Sequence, residues 1–215
     1  AAPHAETYQE LKERIDLVLF DEGHSEPAFT WAKAVRDLGK KLVLFTATPY
    51  RNDYRKFRIA EDFVYQFHYE EAQQQNIIRN VALVTYPRIL NLQQFADHVF
   101  HFAKDEVQRH KDARVLVRCP SASDISKLVT ALNRHQRGCA MGFHTALSET
   151  DFLKRRVPTL DAVDRVVRFF VHEKLLLQGI DDKRFSTLAI YGRMNNAREL
   201  IQQVGRVIRN RSRKP

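Results

Sequence analysis

The feature that most constrains this chain is a short apolar run that ends abruptly in two carboxylates, a glycine and a histidine. Residues 15–24 read Ile-Asp-Leu-Val-Leu-Phe-Asp-Glu-Gly-His. Because Leu17 to Phe20 does not alternate polar and apolar residues, the pattern predicts a strand that is buried on both faces of a sheet. Ligands of open α/β sheets collect beyond the carboxyl ends of the strands. Asp21 and Glu22 therefore lie where a metal-bound phosphate is expected.

A second strand of the same kind follows one helix length later. Leu42 to Phe45 is apolar throughout and is followed by Thr-Ala-Thr-Pro at positions 46–49. Between the two strands, the apolar positions of residues 27–38 repeat at helical spacing, and Gly39 is suited to end that helix. Two buried strands joined by a helix form a parallel βαβ unit with its polar groups at one edge.

The second half of the chain alternates strands and helices regularly. The pattern predicts helices over 92–109, 121–135 and 196–209, and strands over 115–117, 140–143, 166–171 and 187–191. Two other segments, 63–69 and 81–86, are also rich in strand-forming residues and predict further strands. This alternation is typical of an α/β protein with parallel sheets. We place the domain boundary so that residues 1–87 and 88–215 form the two domains.

A basic cluster near the end of the chain is the second candidate for chemistry. Positions 202–209 read Gln-Gln-Val-Gly-Arg-Val-Ile-Arg. Arg206 and Arg209 are three residues apart and are expected on one face of a helix, where Gly205 permits close backbone approach. Two guanidinium groups without an intervening acid suit a phosphate. From this segment alone, a solvated basic helix face is an equally good interpretation, because further cations follow directly.

Composition narrows the class of partner. A formal net charge of +9 and a pI near 9.7 favour a polyanion. Cys119 and Cys139 are too few for a disulfide framework or a zinc site, and a buried free thiol is expected at Cys119. His98 and His101 share a helix face, but no cysteine or carboxylate pattern completes a metal site around them. Since no signal peptide and no run of roughly 18 apolar residues occurs, we expect a cytoplasmic protein.

Three of these segments together resemble a known family. Asp-Glu-Gly-His at 21–24, Thr-Ala-Thr at 46–48 and Gln-x-x-Gly-Arg-x-x-Arg at 202–209 are similar, in order, to motifs II, III and VI of the superfamily-two DExH/DEAD-box helicases. Gln-Gly-Ile-Asp at 178–181 resembles motif V, although an Asp-Lys pair follows where the family often has a proline. Residues 115–123 fit motif IV in position. The resemblance extends from Ile15 to Asn210 and is closest to restriction-enzyme and repair motors.

The resemblance implies two RecA-like parallel-sheet domains, the first incomplete, that hydrolyse ATP with the help of Mg²⁺. It implies that Asp21 holds the magnesium ion of the nucleotide and that Glu22, beside the same ion, orients or deprotonates the attacking water. His24 would link the nucleotide site to the interdomain surface. Thr46 and Thr48 would couple hydrolysis to that surface.

For the second domain, the resemblance implies that Arg206 and Arg209 act as arginine fingers on the γ-phosphate. Gln202 would contact the nucleotide or its bound water, and Gly179 and Asp181 would lie between nucleotide and nucleic acid. Acids of the front half and guanidinium groups of the rear half would thus meet at one triphosphate. The implied partners are nucleic acid, with DNA favoured over RNA, and a nuclease or other effector subunit, without a membrane. The implied setting is bacterial antiviral defence or repair.

One motif of these motors does not occur in the chain. No Gly-x-x-x-x-Gly-Lys-Ser/Thr loop is found among the 215 residues, and in the family this loop precedes the Asp-Glu strand. We therefore expect a fragment of a longer motor that hydrolyses no ATP by itself and that leaves apolar sheet surface exposed. A non-hydrolysing scaffold that binds nucleic acid or a partner is the alternative. The intact carboxylate pair and arginine pair favour the enzyme.

Overall fold

The structure, a computed structural model, describes residues 4–25, 28–48, 57, 59, 63–86, 90–174, 182–194 and 196–210. The chain forms two compact units, residues 1–66 and residues 67–215. The boundary expected from the sequence, between Pro87 and Arg88, lies outside the described residues. Each unit contains a parallel sheet and α-helices, which confirms the predicted α/β class.

The first unit is built around one βαβ motif. Its elements are α1 (His4–Arg14), β1 (Leu17–Phe20), α2 (Phe29–Arg36) and β2 (Lys41–Leu44). The two strands pair in parallel, with Phe20 opposite Leu44. Gly39 lies in the turn after α2 with a φ of 66°, a conformation that glycine adopts without steric cost.

The two strands of this unit are only half covered by the described residues. Side chains alternate between partly buried and exposed along both strands. Leu19 is 63% exposed, and Phe45, just after β2, is 53% exposed. The prediction of a strand buried on both faces is therefore wrong here, because the described part of a two-stranded sheet leaves the second face uncovered.

The second unit contains a larger sheet and several helices. Its helices are α3 (Tyr69–Gln74), α4 (Leu92–Arg109), α5 (Ala122–His135) and α6 (Ala197–Val207). Its strands are β3 (Arg114–Arg118), β4 (Ala140–Phe143), β5 (Leu153–Lys154), β6 (Phe169–His172) and β7 (Phe185–Ile190). The strand order is β5-β4-β6-β3-β7, and every neighbouring pair is parallel.

The register of this sheet brings the carboxyl ends of its central strands to one edge. His172 at the end of β6 is opposite both Arg118 of β3 and Phe143 of β4. β3 and β6 are buried along their whole length, as continuous apolar strands in a doubly covered parallel sheet are. The polar ends of these strands therefore share one surface.

The two long helices of the second unit begin at caps that fix their first turns. The Asn91 side chain accepts from Gln94 N–H at 2.9 Å, and the Gln94 side chain accepts from Asn91 N–H at 3.1 Å. Ser121 accepts from Asp124 N–H at 3.1 Å at the start of α5. Such caps satisfy backbone donors that have no partner within the helix. The predicted bounds of both helices are confirmed to within one residue.

Both cysteines are free thiols in the core of the second unit. Burial raises the pKa of Cys119 to about 12 and that of Cys139 to about 11. Each thiol is therefore protonated at neutral pH and unreactive as a nucleophile. This confirms the buried thiol expected at Cys119.

Two strand predictions are wrong. Residues 63–68 and 81–86 are not part of any sheet, and Tyr69 already belongs to α3. Their side chains are exposed, with Phe63 at 89% and Leu83 at 85%. Strand-forming residues predicted a sheet here, but neither segment pairs with a strand in the described structure, so propensity alone did not suffice. Among the described helices, none is long and apolar enough to cross a membrane.

Candidate functional site

Two carboxylates stand at the carboxyl end of β1, as the sequence predicts. Asp21 and Glu22 follow the last residue of the strand, and both are exposed. Asp21 Oδ1 accepts a hydrogen bond from Glu22 N–H at 2.8 Å. Glu22 has a φ of 53°, in the left-handed region that non-glycine residues seldom adopt. Such a conformation costs about 1–3 kcal/mol and persists where its surroundings enforce it, often at functional sites.

The turn that follows the carboxylates lies directly against the end of β2. Gly23 N–H donates to Phe45 O at 2.7 Å. A Cβ atom at Gly23 would lie 3.0 Å from Leu44 Cβ and 3.1 Å from Phe45 O. Because one of these atoms is backbone, a larger residue could not be accommodated without moving the strand end. The glycine of Asp-Glu-Gly-His thus fixes the distance between the two polar strand ends.

His24 joins both polar strand ends through one ring nitrogen. Its Nδ1 lies 3.2 Å from Glu22 Oε2, 3.3 Å from Thr46 Oγ1 and 3.2 Å from Thr48 Oγ1. His24 and Thr48 are buried, and Thr48 N–H donates to Thr46 Oγ1 at 3.1 Å. The structure therefore brings together four of the residues that the sequence singled out: Glu22, His24, Thr46 and Thr48.

The protonation of Nδ1 decides which of these oxygens His24 can bind. A protonated Nδ1 donates a hydrogen bond, for which the Glu22 carboxylate is the strongest acceptor. An unprotonated Nδ1 accepts a hydrogen bond, which only the hydroxyl groups of Thr46 and Thr48 can donate. The arrangement thus makes the carboxylate and the threonines alternative partners of one nitrogen.

The carboxylates suit a metal ion that arrives with its own ligands. Among the described residues, no three His, Cys, Asp or Glu side chains form a cluster that could hold a metal ion. Asp21 uses one oxygen for the Glu22 N–H and is otherwise exposed to solvent. Mg²⁺ commonly binds one or two carboxylates together with waters and substrate phosphates. An exposed aspartate at a strand end fits that donor set.

The predicted residues of the second unit lie on and just after α6. The helix begins at Asn196, whose side chain accepts from Arg198 N–H at 3.1 Å and Glu199 N–H at 3.2 Å. Gln202 and Arg206 are on this helix and are partly buried.

Arg209 lies beyond the end of α6. It pairs with Ile78 in an antiparallel bridge, and Arg79 N–H donates to Ile208 O at 2.6 Å. The expectation that Arg206 and Arg209 share one helix face is wrong, because pairing with residues 78–79 draws the chain out of the helix after Val207.

Three further expectations concern Gly179, Asp181 and Gly205. Gly179 and Asp181 lie outside the described residues. Around Gly205, no described atom lies within 4 Å of the position that a Cβ would take. The close approach expected at Gly205 is therefore not made by the described part of the chain.

The carboxyl edge of the second sheet also carries polar residues that the sequence analysis did not select. Arg118 ends β3, with its Nε 3.3 Å from Glu199 Oε1 on α6 and its Nη1 3.3 Å from Arg193 O. His144, after β4, has its Nε2 3.0 Å from Glu173 Oε2. Arg118 ends an apolar strand and His144 follows one. A polar residue at the end of an apolar strand is the sequence signal that identified Asp21, so that signal could also have identified these two residues.

His172 ends β6 and is completely buried. The pKa of His172 is lowered to about 3, mainly by burial and also by the nearby Arg118, while the neighbouring Gln203 acts in the opposite direction. His172 is therefore a neutral imidazole at physiological pH. Gln203 on α6 is also completely buried, so the helix that carries Gln202 and Arg206 packs closely against the sheet.

Comparison with known proteins gives matches among solved structures. No protein-family profile and no curated protein sequence matches the chain. The fold is similar to the fragment structure of a protein assigned as an HsdR subunit of a type I restriction enzyme from Vibrio vulnificus YJ016. That match has a TM-score of 0.63 and 19% identity, and it covers 96% of this chain and 43% of that one.

A second similar structure is the ATP-dependent type ISP restriction-modification enzyme LlaBIII bound to DNA. Here the TM-score is 0.54 and the identity 12%, and the match covers 94% of this chain and 18% of that one. The chain spans less than half the length of either structure. At these identities, the similarity establishes an α/β fold of the type found in these restriction enzymes.

Proposed function

We propose that this chain is part of an ATP-dependent DNA helicase or translocase of superfamily two that serves a restriction-modification system. The fold similarity to HsdR and LlaBIII supports this class of protein. The net charge of +9 is consistent with a nucleic-acid partner. A nuclease or other effector subunit is the partner that such a system requires, and antiviral defence is the role we favour over repair.

The observation that carries the proposal is the contact of His24 Nδ1 with Glu22, Thr46 and Thr48. In a solvated acidic turn without a role, there would be no reason to bury His24 and Thr48 against each other. A motor, by contrast, must transmit the state of a catalytic carboxylate to another part of the protein. The single shared nitrogen provides such a connection within the first unit.

The carboxylates take the roles that phosphoryl transfer needs. Asp21 holds the magnesium ion of ATP, which supplies charge neutralisation at the phosphates. Glu22 orients the attacking water and accepts its proton. While Glu22 is bound to the attacking water, His24 Nδ1 forms its hydrogen bond with the hydroxyl groups of Thr46 and Thr48 instead. These two threonines couple hydrolysis to movement.

The second unit supplies positive charge to the same nucleotide in our proposal. Arg206 and Arg209 act as arginine fingers on the γ-phosphate, and Gln202 contacts the nucleotide or its water. The proposal also assigns Gly179 and Asp181 to contacts with nucleotide and DNA. In this proposal Arg209 acts from the segment after α6, where its backbone pairs with Ile78.

Replacing Glu22 with glutamine tests the enzyme assignment. In the whole protein that contains this chain, Glu22→Gln should abolish DNA-stimulated ATP turnover and leave ATP binding intact, because glutamine keeps the shape but cannot accept the proton. Glu70 is an exposed carboxylate in the first turn of α3. Glu70→Gln is therefore the matched control and should leave turnover unchanged.

Unchanged turnover in Glu22→Gln would reject the role of Glu22. Absence of any DNA-stimulated turnover in the unmodified whole protein would instead favour the non-hydrolysing scaffold. The isolated 215-residue chain is expected to show no turnover, and magnesium-dependent hydrolysis by it would contradict that expectation.

A further inference from the structure

A cationic cavity lies at the amino edge of the second sheet, opposite the edge that carries Arg118 and His172. All strands of this sheet are parallel, so the residues that precede or begin β3, β6 and β7 meet at this edge. The cavity has a volume of about 350 Å³ and is lined by Lys111, Asp112, Arg114, Arg165, Arg168 and Arg184. None of the roles proposed above uses these residues.

The inner wall of the cavity is held rigidly by one buried carboxylate. Asp182 Oδ2 accepts from Arg114 Nη1 at 2.8 Å, and Asp182 Oδ1 accepts from Arg184 Nε at 2.8 Å. Arg114 is 3% exposed and stacks over Phe170, with its guanidinium carbon 4.9 Å from the ring centre. Arg184 also contacts Asp161 Oδ1 at 2.6 Å. The charges of the two inner arginines are thus balanced by two carboxylates.

The outer wall has an excess of positive charge. It carries three cations, Lys111, Arg165 and Arg168, against the single carboxylate of Asp112, a net charge of +2. Lys111 and Arg165 are exposed and make no hydrogen bond or ion pair with the described residues. Arg168 donates from Nη1 to Ala113 O, at 3.4 Å. Asp164, beside Arg165, directs its Oδ1 to Val166 N–H at 2.9 Å.

We propose that this cavity binds a backbone phosphate of DNA, as a second contact away from the motor motifs. Arginine and lysine converging on a concave surface suit a phosphate oxyanion, which accepts several N–H donors at once. The fixed inner wall keeps the cavity open, while the exposed outer cations Lys111 and Arg165 are available to a ligand. The choice of DNA over a free phosphate compound rests on the proposed function, in which this protein moves along DNA.

The salt dependence of DNA binding tests this site directly. We compare the unmodified whole protein with the double variant Lys111→Ala/Arg165→Ala, using a fluorescent DNA duplex. Loss of one phosphate contact should lower the slope of log K against log salt by about 0.9 in magnitude and weaken binding at about 0.15 M salt roughly fivefold. Both replaced residues are exposed, so the variant leaves no buried charge without its partner.

The control removes the same charge elsewhere in the second unit. Lys127→Ala/Arg137→Ala replaces two exposed cations on and after α5 and should leave the slope unchanged. An unchanged slope in the cavity variant, or an equal fall in the control, would overturn the proposal. A third outcome is that the unmodified protein binds pyrophosphate, the cavity variant does not, and the DNA slope is the same for both. That outcome would overturn DNA as the ligand and assign a free phosphate compound.

The two proposals can fail separately. The effect of Glu22→Gln is measured as ATP turnover, whereas the effect of the cavity variant is measured as the salt dependence of DNA binding. If Glu22→Gln leaves turnover unchanged while the cavity variant lowers the slope, the motor mechanism fails and the DNA contact stands.

Discussion

His24 Nδ1 lies 3.2 Å from Thr48 Oγ1, and this contact connects the turn after β1 to the loop after β2. Both residues are buried, so the hydrogen bond is shielded from water, where it would be weaker. The neighbouring Glu22 carboxylate and Thr46 hydroxyl lie within hydrogen-bond distance of the same nitrogen. The first unit therefore holds its two polar strand ends together as one connected group.

Thr48→Val should weaken this connection without changing the shape of the side chain. Loss of one hydrogen bond is expected to lower the free energy of unfolding by about 0.5–1.5 kcal/mol. A double-mutant cycle with His24→Ala, measured by urea unfolding, should give a coupling energy of similar size. In the whole protein, DNA translocation should fall more than ATP turnover.

The variant Thr46→Val is compared with Thr48→Val in the same unfolding measurements. Thr46 Oγ1 also accepts from Thr48 N–H at 3.1 Å, so its loss should act on the loop after β2 as well as on His24. Strict additivity of His24→Ala and Thr48→Val would mean that their contact contributes nothing to stability, and it would contradict the first prediction.

The sequence predicted most of the second unit because its signals were local. Ser121 was recognisable as a helix cap, and α4 showed its apolar positions at helical spacing. The position of Asp21 and Glu22 at a strand end followed from the abrupt change from apolar to charged residues. Cap chemistry and periodicity are properties of neighbouring residues, so one sequence suffices to find them.

The missed features depend on partners that are distant along the chain. Arg209 leaves the helix because Ile78 pairs with it, and nothing near Arg209 in sequence signals that pairing. Segments 63–69 and 81–86 carry strand-forming residues but have no strand to pair with in the described structure. The sharing of one His24 nitrogen by Glu22 and two threonines likewise follows from the fold of the βαβ motif, which brings the two loops together.

Gly142→Ala should destabilise the second unit. The added Cβ would lie 2.7 Å from Ile125 Cγ2, 2.9 Å from Leu153 Cδ2 and 3.0 Å from Val129 Cγ2. Since Ile125 is completely buried, the helix α5 must shift away from β4 to make room. We expect a loss of about 1–3 kcal/mol in the free energy of unfolding, measured by urea denaturation. Stability equal to that of the unmodified protein would show that α5 can move at no cost.

Gly205→Ala should have the opposite effect on stability. Gly205 is inside α6, and no described atom lies within 4 Å of the added Cβ. Alanine in a helix is favoured over glycine by about 0.5–1 kcal/mol, so the free energy of unfolding should rise by that amount. If a ligand approaches the backbone at Gly205, ATP turnover of the whole protein should fall although the variant is more stable. A gain in stability with full turnover would contradict that approach.

The stability of the second unit should depend on pH through His172. Burial lowers the pKa of His172 to about 3 in the folded state, whereas an unfolded histidine titrates near its ordinary value of 6.5. Between these values the unfolded state binds a proton that the folded state does not, so stability falls as the pH drops below 6.5 and is fully present above it. Each pH unit in this window should cost about 1.4 kcal/mol from this residue.

The comparison of the unmodified protein with His172→Asn isolates this contribution. The asparagine side chain would fill less of the buried site and lower stability at every pH, so the informative quantity is the slope between about pH 6.5 and 5, not the level. Burial acts to raise the pKa of Asp182, but its hydrogen bonds with Arg184 outweigh burial and lower that pKa, away from this window. Urea unfolding at several pH values should give a shallower dependence for His172→Asn. Parallel curves would mean that His172 gains its proton in the folded state as easily as in the unfolded one, and would contradict its burial as a neutral group.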